Sequence, residues 1–76
     1  MANLTPVKAN ALIDALSKLG FFESRQKGSH LIMKHPDGRM TVIPLHSNKE
    51  IPKGTLSAIL RDIKVSPDEI NDLLKK

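Results

Sequence analysis

Apolar residues between positions 5 and 19 recur at helical spacing. Leu12, Ala15, Leu16 and Leu19 fall on one stripe, with Asn10, Asp14, Ser17 and Lys18 opposite, which predicts an amphipathic helix over residues 5–19. Thr5 suits the N-cap and Pro6 the first helical position. Gly20 follows the last apolar residue, where a C-terminal glycine belongs. The period then shortens. "FFESRQ", "HLIMKH" and "RMTVIP" read as three short strands. If the second begins at His30, alternation puts Leu31 and Met33 on one face and His30, Ile32 and Lys34 on the other. Leu31 and Met33 are assigned to the core. In "HPDG", Pro36 pre-sets its dihedral and Gly38 accepts a positive φ, so residues 30–44 form a hairpin. The "KGS" link is equally short, which makes the three strands an antiparallel meander. After a polar loop, "LHSNKEIPKG", helical spacing returns over 54–63 with Leu56, Ile59, Leu60 and Ile63. Ser66, Pro67 and Glu69 then make an N-cap, a first helical position and a capping box, and Ile70, Leu73 and Leu74 give the last short helix its apolar face.

The resulting order is helix, three-stranded antiparallel sheet, helix and short C-terminal helix. This is an α+β chain whose natural solution is to place the helices on one face of the sheet. The other face is left to solvent or to a partner. The order matches the double-stranded-RNA-binding-domain architecture, although order alone does not carry function.

Bulk properties narrow the classes. With 76 residues the chain reads as a single domain, residues 1–76, burying only about 60% of its unfolded surface. It has no cysteine, which excludes disulfides, cysteine zinc sites and thiol nucleophiles. No apolar run approaches the roughly 20 residues of a membrane span, and the N-terminus lacks a signal-peptide stretch, so a soluble, cytoplasmic protein is expected. Twelve Lys and Arg against eight Asp and Glu give a net charge of +4, which favours a polyanionic partner. Phe21 and Phe22 are the only aromatic residues. Contacts to RNA backbone and 2′-hydroxyls are therefore expected ahead of a base-stacking platform.

"RQKGSH", then "HPDGR", "IPLH" and "KGTLSAIL", in that order and over roughly residues 8–74, resemble the signature of the HicA (YcfA-like) toxins. The resemblance implies a double-stranded-RNA-binding-like fold, endonuclease activity on mRNA and neutralisation by a HicB-like antitoxin. It also implies that the histidine of the Gly-Ser-His motif, His30, is the catalytic residue. Members often carry a glycine after the second helix, where this chain has "DIKVSP", and "NLTPVKANAL" departs from the commoner opening.

The chemistry is plausible on its own terms. RNA carries its own nucleophile, the 2′-hydroxyl. Its cleavage needs proton transfer and positive charge on the phosphate, and histidine is suited to proton transfer near neutral pH. Around His30, Arg25, Lys27 and Lys34 are candidate phosphate contacts. Gly28 allows close backbone approach, and the Gly28 and Ser29 N–H groups are placed to hold a phosphate oxygen. The Ser29 side chain can bond substrate or orient the imidazole. His46 is a candidate second proton-transfer group or RNA ligand, and His35 reads as structural. His30, His46 and Glu50 match no zinc signature, so no metal or other cofactor is expected. Two further classes compete with the nuclease: a non-catalytic RNA-binding module, and an adaptor whose open sheet face binds a protein. The free chain is expected to be a monomer.

Overall fold

The computed structural model describes residues 4–45 and 49–75. The elements run β1 (Val7–Lys8), α1 (Ala9–Lys18), β2 (Phe22–Lys27), β3 (His30–Lys34), β4 (Met40–Pro44), β5 (Glu50–Ile51), α2 (Lys53–Ile63) and α3 (Pro67–Leu74). β2, β3 and β4 form the antiparallel meander that the turn chemistry predicts, and β1 pairs with β5 in a separate two-stranded ladder. The α+β, double-stranded-RNA-binding-like arrangement expected from the element order is the one observed.

The strand alternation sorts the sheet into two faces. Leu31, Met33 and Ile43 are buried and join Leu12, Leu16, Leu56, Ile59 and Ile63 in one apolar core. Thr41 shares that inner face and is only 3% exposed; its hydroxyl donates to Asp62 Oδ2 of α2 at 3.5 Å, which offsets the cost of burying it. α2 packs on β4, and α1 on α3. β2 is exposed along its length, so the helical layer covers β3 and β4 and leaves β2 as a charged edge, a common guard against strand-to-strand aggregation.

The first helix starts later than its sequence suggests. Thr5 and Pro6 do not begin it; Lys8 is the N-cap and makes no side-chain cap bond. Val7 instead lies opposite Ile51, and Lys8 opposite Glu50. Both apolar residues are buried, and their burial outweighs the helix-capping preference of Thr5. The loop expected over residues 45–54 accordingly contains β5. Ile51 precedes Pro52, a position biased toward extended backbone. α1 ends as expected: the Phe21 N–H donates to Leu16 O at 3.1 Å and the Gly20 N–H to Ser17 O at 3.1 Å, a Schellman closure. Ser66 caps α3 by accepting from the Glu69 N–H at 3.1 Å, with Pro67 at the first turn.

α2 closes on Lys64, held left-handed at φ 57. It lies within "DIKVSP", the stretch after the second helix in which the resemblance leads one to expect a glycine. The lysine takes the glycine conformation and bears its steric cost.

The β3–β4 turn ties the sheet to both longer helices. His35 Nε2 lies 3.1 Å from the Leu19 carbonyl at the end of α1, and its ring meets Phe21 edge-on with centroids 4.9 Å apart. His35 Nδ1 lies 3.1 Å from the Asp37 backbone nitrogen and 3.0 Å from the Asp37 carboxylate Oδ1. Arg39 Nη1 donates to the Ile63 carbonyl at the end of α2 at 2.6 Å, its Nε to Asp37 Oδ2 at 2.8 Å, and its guanidinium lies 5.0 Å from the Phe21 ring centre. The "HPDGR" segment is thus a fastening for the scaffold.

Candidate functional site

The open face of the sheet is built from three cross-strand rows. Lys27, His30 and Pro44 form the row nearest the β2–β3 turn; Arg25, Ile32 and Val42 form the next; Phe22, Lys34 and Met40 form the third. Residues directly opposite one another share a face. Lys34 and His30 are exposed and Ile32 is half-buried, as the alternation of β3 requires.

Arg25 and Lys27 reach this face through an irregularity. Strict alternation along β2 would give Phe22, Ser24 and Gln26 one face, and Glu23, Arg25 and Lys27 the other. The register instead slips between Glu23 and Arg25, so Glu23 pairs with Met33 while Arg25 pairs with Ile32. Ser24 is the extra residue of a β-bulge. It brings Arg25 and Lys27 round to the side of His30 and leaves Glu23 and Gln26 on the side of the helices. No sequence signal marks this bulge, since "FESRQK" has no glycine.

Gly28 and Ser29 form a two-residue turn between Lys27 and His30. Gly28 has φ 57 and Ser29 does not share the positive sign, the pattern of a type II′ hairpin turn with glycine at its first position. Gln26 Nε2 donates to the Gly28 carbonyl at 3.2 Å, and the Leu45 N–H donates to the Ser29 carbonyl at 2.6 Å. The turn is therefore held from β2 and from the end of β4. A Cβ on Gly28 would meet nothing within 4 Å, so the backbone there is open to a ligand.

His30 contrasts with His35. His35 is engaged through both ring nitrogens. The exposed His30 imidazole has no hydrogen bond or ion pair among the described residues. Arg25, Lys27 and Lys34 likewise have no ion-pair partner among the described residues; the pairs present join Asp37 to His35 and to Arg39. The open face thus carries cationic side chains in all three rows, an unengaged imidazole, and no carboxylate at any of its paired positions. Asp37, within the β3–β4 turn, is held under its ordinary value of 3.8 by the Arg39 backbone N–H first, then by the Arg39 guanidinium and by His35.

His46 lies outside the described residues. The strand that leads to it ends with Pro44 opposite His30 and Leu45 bonded to Ser29. Among the described residues no three His, Asp or Glu side chains gather as a metal site would require, and no helix is long and apolar enough to cross a membrane.

A search of curated proteins finds no match to this chain. Against protein families, the model described as HicA toxin of bacterial toxin-antitoxin matches residues 9–65. That span runs from the start of α1 through the whole open face to the end of α2, and it includes His30, Arg25, Lys27 and Lys34. The chain therefore belongs to the HicA family, the toxins of toxin–antitoxin pairs, and its partner is an antitoxin.

Proposed function

We propose that this chain, acting as one HicA-like domain over residues 1–76, is an endoribonuclease that cuts mRNA on the open sheet face without a metal ion. The observation that carries the reading is the exposed His30 imidazole, unengaged among the described residues, paired across a tight turn with Lys27, on a face that also carries Arg25 and Lys34, which have no ion-pair partner among the described residues. His30 takes the proton of an RNA 2′-hydroxyl. The 2′-oxygen then bonds to the adjacent phosphorus, and the bond from phosphorus to the 5′-oxygen breaks. Solvent supplies the proton for the leaving oxygen, and a 2′,3′-cyclic phosphate results. Lys27, with Arg25 in the next row, holds the charge that builds on the phosphate, helped by the Gly28 and Ser29 N–H groups, which a two-residue turn leaves outside the strand ladder, and Lys34 binds the RNA backbone further along the face. Ser29 and His46 complete the RNA-contacting set. A HicB-like antitoxin neutralises the toxin by covering this face, where Met40 and Val42 offer apolar contact.

RNA cleavage in EDTA by wild type and by His30→Ala, matched first for far-UV circular dichroism, tests the reading. The wild type cuts, and the variant loses about 10²–10⁴-fold in rate, the usual worth of a positioned proton transfer. Equal cleavage by both removes His30 from the chemistry. If neither cuts while both bind RNA with one salt dependence, the chain is an RNA-binding module.

A further inference from the structure

The two adjacent phenylalanines part company at the start of β2. Phe21 is 3% exposed and Phe22 49%. Phe21 fills the core beneath His35 and Arg39. Phe22 stands on the open face, directly opposite Lys34, in the row whose far member is Met40. An exposed phenyl ring forgoes much of the stabilisation that burying it would yield, and the core already has its aromatic residue in Phe21.

We infer that Phe22 is a base-stacking platform that fixes the register of a single-stranded RNA on the open face, and so helps decide which phosphate meets His30. The inference rests on the nuclease reading above. Charge favours RNA over a protein as the occupant: the ring is neighboured by Lys34, the next row holds Arg25 and the third Lys27, with no carboxylate among the paired positions. A base on Phe22 has its own phosphate within reach of Lys34, its direct cross-strand neighbour at about 4.5–5.5 Å between Cβ atoms. His30 lies four residues back along β3, about 13 Å away at the rise of a strand. A chain held at Phe22 thus crosses the Arg25 row and delivers a phosphate to His30 a few nucleotides on. One ring gives one anchored base, which is enough to set a register.

The test uses the full chain carrying His30→Ala, so that substrate survives, and short single-stranded RNAs with 2-aminopurine placed at each position in turn. Quenching should peak at one position, upstream or downstream of the cut made by wild type. Phe22→Ala and Phe22→Leu should both remove that quenching and weaken binding by about 5- to 150-fold, the worth of one stacked base, while Phe22→Trp should retain both. With His30 intact, Phe22→Ala should raise KM and spread the cut positions more than it lowers the rate at saturating RNA. Unchanged RNA affinity in Phe22→Ala overturns the inference and leaves the nuclease reading standing. So does full retention by Phe22→Leu, which would mark an apolar protein contact. Absence of RNA binding by the His30→Ala parent and by wild type alike sinks both readings together.

Discussion

Arg25 stands opposite Ile32, not opposite Leu31, because Ser24 is bulged out of the β2–β3 ladder. That slip assigns the charges of β2 to opposite faces. Arg25→Ala and Lys27→Ala should each lower the slope of log affinity for single-stranded RNA against log salt by about 0.7, one phosphate contact apiece. Glu23→Ala and Gln26→Ala, on the helical side, should leave the slope unchanged apart from any loss of the Gln26 bond to the turn. Fluorescence titrations at three or more salt concentrations decide it. Equal slopes for Arg25→Ala and wild type would mean that the bulge does not direct Arg25 at the RNA.

The same bulge marks where sequence reasoning stops. Alternation within β3, the turns at Gly28 and Gly38, and the apolar stripes of α1 and α2 are local patterns, and each is legible. So is the placing of His30 and Lys34 on one face. The face of Arg25 and Lys27 is not legible, because counting by twos from Phe22 gives the wrong side. The Val7–Ile51 pairing is equally hidden. It joins distant segments, and a Thr-Pro pair that reads as a helix start stands before it. His35 and Arg39 sit in a segment that looks like turn chemistry alone, and their work on Leu19 and Ile63 is long-range.

Lys64 offers a stability gain. Its left-handed backbone, at φ 57, costs a non-glycine residue about 1–2 kcal/mol. Glycine removes that strain but loses about 0.5–1 kcal/mol in chain entropy. Lys64→Gly should therefore stabilise by about 0.5–1 kcal/mol, several degrees in Tm for a chain of this size. Urea unfolding should show a raised midpoint with an unchanged slope. A lowered midpoint would mean that the lysine side chain contributes more than its backbone costs.

Asp37 gives the fold an acid-sensitive fastening. Its pKa is depressed in the folded chain by the Arg39 backbone N–H, and further by the Arg39 guanidinium and His35. A depressed carboxyl contributes stability that is present above its unfolded value, near 3.8, and lost as pH falls through the lower folded value. Wild type should thus exceed Asp37→Asn in stability at about pH 5, where the unfolded carboxyl is still ionised. The margin should shrink below that, as the unfolded carboxyl begins to take up protons. Denaturant midpoints for both proteins across this range are the measurement. A margin that grows toward acid would contradict the assignment.

The two histidines of the β3 hairpin should separate cleanly. His30→Ala removes an imidazole without partners among the described residues and should leave stability unchanged. His35→Ala removes the bond to Leu19 O and the edge contact with Phe21, and should cost about 1–3 kcal/mol. Gly20 supplies an internal check on that fastening. It has φ 99, and a Cβ built there would lie 2.9 Å from His35 Nε2. Gly20→Ala therefore carries a backbone cost of about 1–2 kcal/mol together with a collision against a ring held by Leu19, Asp37 and Phe21. Removing the ring relieves the collision but not the backbone strain. Gly20→Ala should consequently cost less in the His35→Ala background than in wild type, with a coupling of about 0.5–3 kcal/mol for contacting residues. Unfolding of the four proteins in urea closes the cycle. Strict additivity would mean that the ring moves aside freely, and the His35–Leu19 bond would then be no fastening at all.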